Sequence, residues 1–174
     1  MKLHLGCGRK HLEGWANVDV NPKANPDICL DLNDEWPWDD NSVDEVYCNH
    51  VLEHFTPREY LKILGKMYRV CKHAAILRIN VPYVSNSRYN QVNPYHLTHF
   101  NEFSFHFFDS KKMKKGPYHS QTEIELKEKS IELVYFPEWR NKPEDKKTHA
   151  RKHYWNVVKE IKFVLEVVKN FGDK

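Results

Sequence analysis

None of the four cysteines, Cys7, Cys29, Cys48 and Cys71, stands in a C-x-x-C pair, and no apolar run approaches the roughly 20 residues that a membrane-spanning helix needs. The first absence argues against the common zinc and dithiol motifs, so the cysteines read as reduced, mostly buried small residues. The second argues against a membrane-spanning class. No internal repeat is seen. A leader peptide is not expected either, because strand-like sequence begins at Lys2 or Leu3, and the cytoplasm is the expected location. Nor is there a large excess of one charge, the formal net value being +3.

What is present is an ordinary globular composition, 40% hydrophobic and 29% charged over 174 residues. That length suffices for one domain with a proper core and no disulfide or metal staple. The small net charge hides an asymmetry. Residues 1–109 hold 11 Lys/Arg against 14 Asp/Glu, and residues 110–174 hold 16 against 10. An anionic partner for the C-terminal third therefore stays open, although the excess is small beside the basic surfaces of committed nucleic-acid binders.

Short apolar runs closed by Gly, Asn-Pro or Asp predict strands at 3–5, 17–20, 27–30 and 43–48, with another at 75–81 stopped by Pro82. Apolar residues spaced i, i+3, i+4 predict a helix within 51–70, carried by Tyr60, Leu61, Leu64, Met67 and Tyr68. Thr56-Pro57-Arg58-Glu59 inside that span has the form of a capping box with proline at the first helical position, so a short turn precedes the main helix. Strands alternating with helices or loops argue for a mostly parallel sheet covered on both faces. Residues 84–120 sustain neither period and read as a long functional loop, expected to be a substrate lid. Segments 122–127 and 130–136 read as a hairpin around Glu128-Lys129, and 152–171 as a final helix with Trp155, Val158, Ile161, Leu165 and Val168 along one side. The expected architecture is thus a single α/β, Rossmann-like domain over 1–174. It comprises a cofactor-binding core (1–83), a lid (84–120), and a C-terminal hairpin and helix (121–174).

In such sheets ligands bind beyond the carboxyl ends of the strands. Gly6-Cys7-Gly8 follows the first strand, where the missing Cβ lets backbone approach a ligand closely. A dinucleotide fingerprint would place a third glycine where His11 stands, and no helix start suited to a pyrophosphate follows. A nucleoside without phosphates fits better, and a nicotinamide-dependent oxidoreductase is disfavoured. Asp19 ends the second strand, where a carboxylate can accept from both hydroxyls of a ribose; a turn before Asn21-Pro22 is its other reading. Asp31-Leu32-Asn33 can offer polar partners to a base, and Trp36 and Trp38 are either its flat walls or ordinary packing.

LHLGCG, VDVNP, LDLND, SVDEVYCNHVLEHF and LRINVPY, in this order and spacing, resemble the class I S-adenosylmethionine-dependent methyltransferases, and among them the small type-11-like members. The resemblance covers about residues 2–83 and weakens beyond. It implies S-adenosyl-L-methionine as cofactor. Gly6, Cys7 and Gly8 would line its methionine half, Asp19 would hold the ribose, Asp31 and Leu32 would meet the adenine, and Asn49 and His50 would lie beside the sulfonium. Only residues 9–18 separate Gly8 from Asp19, which is short for the helix usual in class I enzymes, though the small look-alikes share the shortening. Arg9 could meet the cofactor carboxylate or face solvent.

Methyl transfer to an oxygen needs a base, and a neutral histidine suits neutral pH. The candidates are His50 and His54, with Glu53 between them, and His96 and His99 from the long loop. His96 and His99 have no third ligand at recognisable spacing, so no metal is expected. The loop's phenylalanines are expected to pack beneath it and turn His96, His99 and Asn101 toward substrate. The amino-methylating signature Asn/Asp-Pro-Pro-Tyr is absent after the fourth strand, where Asn49-His50-Val51-Leu52 stands. The expected acceptor is accordingly an oxygen of a sugar or other small molecule. Two alternatives stay open: a nucleic-acid methyltransferase using the basic C-terminal third, and a non-catalytic cofactor-binding or interaction module. A homodimer through the exposed face of the last helix is a further possibility.

Overall fold

A computed structural model describes residues 1–113 and 123–169 of the chain. Seven strands form one sheet: β1 (Lys2–Leu5), β2 (Ala16–Asp19), β3 (Ile28–Cys29), β4 (Val43–Asn49), β5 (Cys71–Pro82), β6 (Leu126–Tyr135) and β7 (Val158–Val167). Their spatial order is β3-β2-β1-β4-β5-β7-β6. The first five run parallel, and β7 is antiparallel to both β5 and β6. This is a Rossmann-like α/β arrangement, and its strand order reverses between β1 and β4. No helix among the described residues is long and apolar enough to cross a membrane.

Helix α1 (Pro57–Val70) crosses from β4 to β5. It starts where the sequence signals: the Thr56 hydroxyl accepts from the Glu59 N–H at 3.3 Å, and the Glu59 carboxylate accepts from the Thr56 N–H at 2.9 Å. The helix buries Tyr60, Ile63, Leu64, Met67 and Val70, each worth about 1.5–3 kcal/mol when fully removed from water. Beneath it lies one sheet face made by period-2 alternation, with Leu3 and Leu5 beside Val46 and Cys48, then Leu77 and Ile79, then Leu165 and Phe163.

On the opposite face the described residues set a row of ion pairs. The alternate residues Lys2, Glu45 and Arg78 form an exposed ladder, with Glu45 accepting from Lys2 at 2.9 Å and from Arg78 at 2.6 Å. Lys162–Glu132 and Lys129–Glu166 pairs continue it at 3.1 and 3.0 Å. Charged side chains at these positions alternate with the buried apolar ones and let this part of the face meet water.

The C-terminal region also departs from the sequence reading. Residues 158–167 form a strand, not a helix, because Ile161, Phe163, Leu165 and Val167 alternate into the core while Lys159, Glu160, Lys162 and Glu166 do not. The spacing of Val158, Ile161 and Leu165 fits a helix equally well, but this β-branched-rich segment prefers a pleated sheet. Residues 170 and 171 of the expected helix lie outside the described residues. The expected hairpin around Glu128-Lys129 is one continuous strand, β6, with a bulge there; its antiparallel partner is β7. Two short helices, α2 (Pro137–Arg140) and α3 (Glu144–His153), connect the pair. A dimer through a C-terminal helical face therefore loses its basis, since Val158, Ile161 and Leu165 are buried in this chain's own core.

The long loop after β5 is part of the main body across its described residues. Phe100, Phe105 and Phe108 enter the core against Tyr60 and Phe163, with Phe105 and Phe163 ring centroids 4.7 Å apart. Buried Asn90 donates to the Tyr83 carbonyl, and buried Asn86 accepts from the Arg88 N–H and donates to the Lys159 carbonyl of β7. Residues 114–120 of the expected lid lie outside the described residues.

Candidate functional site

The order reversal between β1 and β4 puts a crevice beyond their carboxyl ends. A small, half-open cleft lies there, lined by Gly6, Asp19, Val20, Leu30, Asp31, Leu32, Val51 and Phe55. Gly6 has φ +63°, and a Cβ on it would stand 2.2 Å from Cγ2 of Val51. Glycine is thus required both for the turn and for the close passage of the segment after β4. Asp19 is held by two backbone donors, its Oδ2 accepting from the Gly8 N–H at 2.8 Å and its Oδ1 from the Asn21 N–H at 2.8 Å. Each oxygen keeps lone pairs for a ligand hydroxyl.

Farther along, Asp31 Oδ1 accepts from the Asn33 N–H at 2.9 Å and fixes its own turn. Lys66 of α1 reaches over and donates to the carbonyls of Leu32, Asn33 and Asp34 at 3.1, 2.8 and 2.7 Å. This clamp positions the cleft wall, and sequence reasoning missed it because a helix lysine carries no local signal of a carbonyl cluster far away in the chain. Val20, Leu30 and Phe55 were missed as lining residues too, although each adjoins a strand-end segment, and Val51 lies inside one, 49–54. Trp36 and Trp38 are core residues, packed edge-to-face at 5.5 Å, and do not line the cleft.

Of the expected cofactor-contacting residues, Gly6, Asp19, Asp31 and Leu32 come together at the cleft. Cys7 is buried, its thiol pushed up chiefly by burial and next by the Asp19 carboxylate, and it donates to the Gly8 carbonyl at 3.4 Å. Gly8 serves through its N–H to Asp19. The Asn49 side chain turns to the polar sheet face, where its Oδ1 accepts from Asn80 at 2.9 Å and Tyr47 at 3.3 Å. Strand alternation sends it there. Arg9 is exposed.

The four candidate histidines fall into different environments. His50 lies between two carboxylates, with Nε2 2.9 Å from Glu160 Oε2 and Nδ1 3.2 Å from Glu53 Oε1. Hydrogen bonds to Glu160 and then Glu53 raise its pKa to about 9, so at neutral pH it is an imidazolium and not a base. His54 and His96 face each other with ring centroids 4.7 Å apart. Burial is the main cause holding the His96 pKa below its ordinary value. The Nδ1 of His96 is 3.0 Å from Asn90 Oδ1, and His99 touches the same asparagine at 3.4 Å. The backbone carbonyl of Glu53 accepts from the N–H groups of Leu97 and Thr98 at 2.7 and 3.1 Å, docking the long loop on the 3-10 turn Leu52–His54. Asn101 does not face this group; it closes a local turn with Phe103 and Ser104.

A family model for a methyltransferase domain matches residues 3–79. No curated protein matches the chain. Among solved structures, an S-adenosylmethionine-dependent methyltransferase from Archaeoglobus fulgidus is 14% identical with a TM-score of 0.59, the alignment covering 95% of this chain and 85% of that one. A complex of the Haloferax volcanii Trm112 methyltransferase activator with a methyltransferase gives 14% identity and a TM-score of 0.61 over 99% and 83% of the two chains. The 1,6-didemethyltoxoflavin-N1-methyltransferase of Burkholderia thailandensis, bound to 1,6-didemethyltoxoflavin and S-adenosylhomocysteine, gives 12% identity and a TM-score of 0.58 over 97% and 71%. At such identities the likeness is one of fold.

Proposed function

We propose that the chain is a class I S-adenosylmethionine-dependent methyltransferase, as the match of residues 3–79 to a methyltransferase-domain model supports, and that it methylates an oxygen of a sugar or other small molecule. The observation that carries this reading is the placement of Asp19. A carboxylate pinned by the Gly8 and Asn21 N–H groups stands in a cleft whose other walls, Leu30, Leu32, Val51 and Phe55, are apolar. That combination suits a ribose with a flat base beside it. Gly6 lines the same cleft, where the methionine part would pass along its backbone.

The cofactor supplies an already activated methyl group, so the protein's task is to align the acceptor and exclude water. The acceptor oxygen attacks the methyl carbon, the sulfur–carbon bond breaks with its electrons returning to sulfur, and the hydroxyl proton must leave. The Glu53, His54 and His96 group handles that activation, because His50 is already protonated at neutral pH. Exposed Tyr89, Val92, Tyr95 and Leu97 on the adjoining loop offer an apolar and aromatic rim for a small acceptor.

The nucleic-acid alternative is less well supported, because many basic residues of the C-terminal third are already paired. Arg151 meets Glu102 and Glu144, Lys129 meets Glu166, and Lys162 meets Glu132. The test is calorimetric titration with S-adenosylmethionine and S-adenosylhomocysteine, followed by labelled-methyl transfer to pools of small hydroxylated metabolites and to RNA. Cofactor binding with label in the small-molecule pool is expected. Binding without any transfer would favour a non-catalytic module, and absence of binding would overturn the reading.

A further inference from the structure

We propose that Glu53, His54 and His96 form a binding site for a divalent transition-metal ion of the zinc class. Their ligand atoms all lie within 4.8 Å of one another, so modest side-chain adjustment brings them to the roughly 2.0–2.2 Å bonds such an ion makes with imidazole nitrogen and carboxylate oxygen. Two histidines and one carboxylate make a borderline donor set suited to zinc. Three protein ligands leave a coordination position open for another molecule.

Two independent features point to a ligand. Glu53 is 1% exposed, and its Oε2 has no hydrogen-bond partner among the described residues although its other oxygen meets His50. A buried carboxylate oxygen left bare is costly, and a cation on that oxygen removes the cost. The second feature is the support behind His96. Asn90 is 1% exposed and donates through Nδ2 toward the Tyr83 carbonyl at 3.4 Å, which turns its Oδ1 to His96 Nδ1 at 3.0 Å. His96 therefore carries its proton on Nδ1 and presents the Nε2 lone pair, the arrangement by which outer partners set a metal-binding imidazole.

The binding site stands on these residues alone, and only its role rests on the methyl-transfer reading. The site is next to the cleft, since Val51 and Phe55 line the cleft and flank Glu53-His54 in sequence. An ion there holds the acceptor hydroxyl in the open position and lowers its pKa. The hydroxyl proton passes to water, the oxygen–methyl bond forms, and the sulfonium carbon–sulfur bond breaks to leave S-adenosylhomocysteine.

The test uses the full chain stripped with chelator and titrated with Zn²⁺ by calorimetry and with Co²⁺ by visible absorption. Saturation at one ion per chain is expected, with Co²⁺ bands of a low-coordinate site with nitrogen ligands. His54→Ala and His96→Ala should each weaken binding by about tenfold or more. Glu53→Gln should do the same, and should that variant not fold, the two histidine variants decide. No binding by the native chain, or binding that both histidine variants keep, would overturn the proposal. S-adenosylhomocysteine titrated into the same metal-free sample tests the cofactor cleft separately, so failure of one reading is distinguishable from failure of the other.

Discussion

Gly6 and Val51 are in mutual contact at the point where β1 and β4 part, and a Cβ on the glycine would stand 2.2 Å from the valine's Cγ2. Two separate penalties are therefore expected for Gly6→Ala: overpacking of about 1–3 kcal/mol, and the strain of placing a side chain at φ +63°. Chemical denaturation of Gly6→Ala, Val51→Ala and the double variant should show positive coupling, the valine truncation restoring the overpacking part only. Strict additivity would mean that the two segments move apart without cost.

Asp19→Ala should weaken S-adenosylhomocysteine binding by about tenfold or more, on the scale of about 1.5–3 kcal/mol for a hydrogen bond to a charged group. Calorimetry on the variant checks this, with circular dichroism to confirm the fold. Unchanged affinity would mean that Asp19 serves only the Gly8 and Asn21 N–H groups.

Tyr60 is buried against Phe100 at 5.5 Å, and its hydroxyl has no partner among the described residues. Burial drives its pKa far up. Removing an unpaired buried hydroxyl should help, so Tyr60→Phe is expected to raise stability by about 1 kcal/mol in urea unfolding. A loss of stability would reveal a partner for the hydroxyl.

Asp44 is held at a pKa of about 2, below its ordinary 3.8, first by a hydrogen bond from Lys72 and then by one from the Met1 amino group. A depressed folded-state pKa gives stability that is complete above the unfolded value and is lost as pH falls through the folded one. The pairing should therefore be lost between about pH 4 and pH 2. Urea midpoints measured across that window should fall less steeply for Asp44→Asn than for the native chain.

The N-terminal half of the molecule was legible because its signals are local. Apolar runs closed by Gly6, by Asn21-Pro22 and by Pro82 end the expected strands, and Thr56 with Glu59 starts α1 where the motif places it. The C-terminal half was not, because Val158, Ile161 and Leu165 satisfy two periods at once. Only the strand partners Leu77, Ile79 and Val81 decide between them. The histidines were ambiguous for the same reason. The charge on His50 depends on Glu160, 110 residues away on the misread strand, and the meeting of His54 with His96 depends on Leu97 and Thr98 donating to the Glu53 carbonyl. Contacts made by docking one loop on another leave no spacing in the chain to read.

The ion-paired part of the sheet, with its Lys2–Glu45–Arg78 and Lys162–Glu132 pairs, gives the domain a hydrated wall. Substitutions there exchange one hydrated surface for another, and exposed ion pairs of this kind are worth at most about 1 kcal/mol each. Glu132 is therefore a natural anchorage point. A fluorophore, an immobilising tether or a fused second enzyme attached at Glu132, which is well exposed, leaves the cleft open to solution.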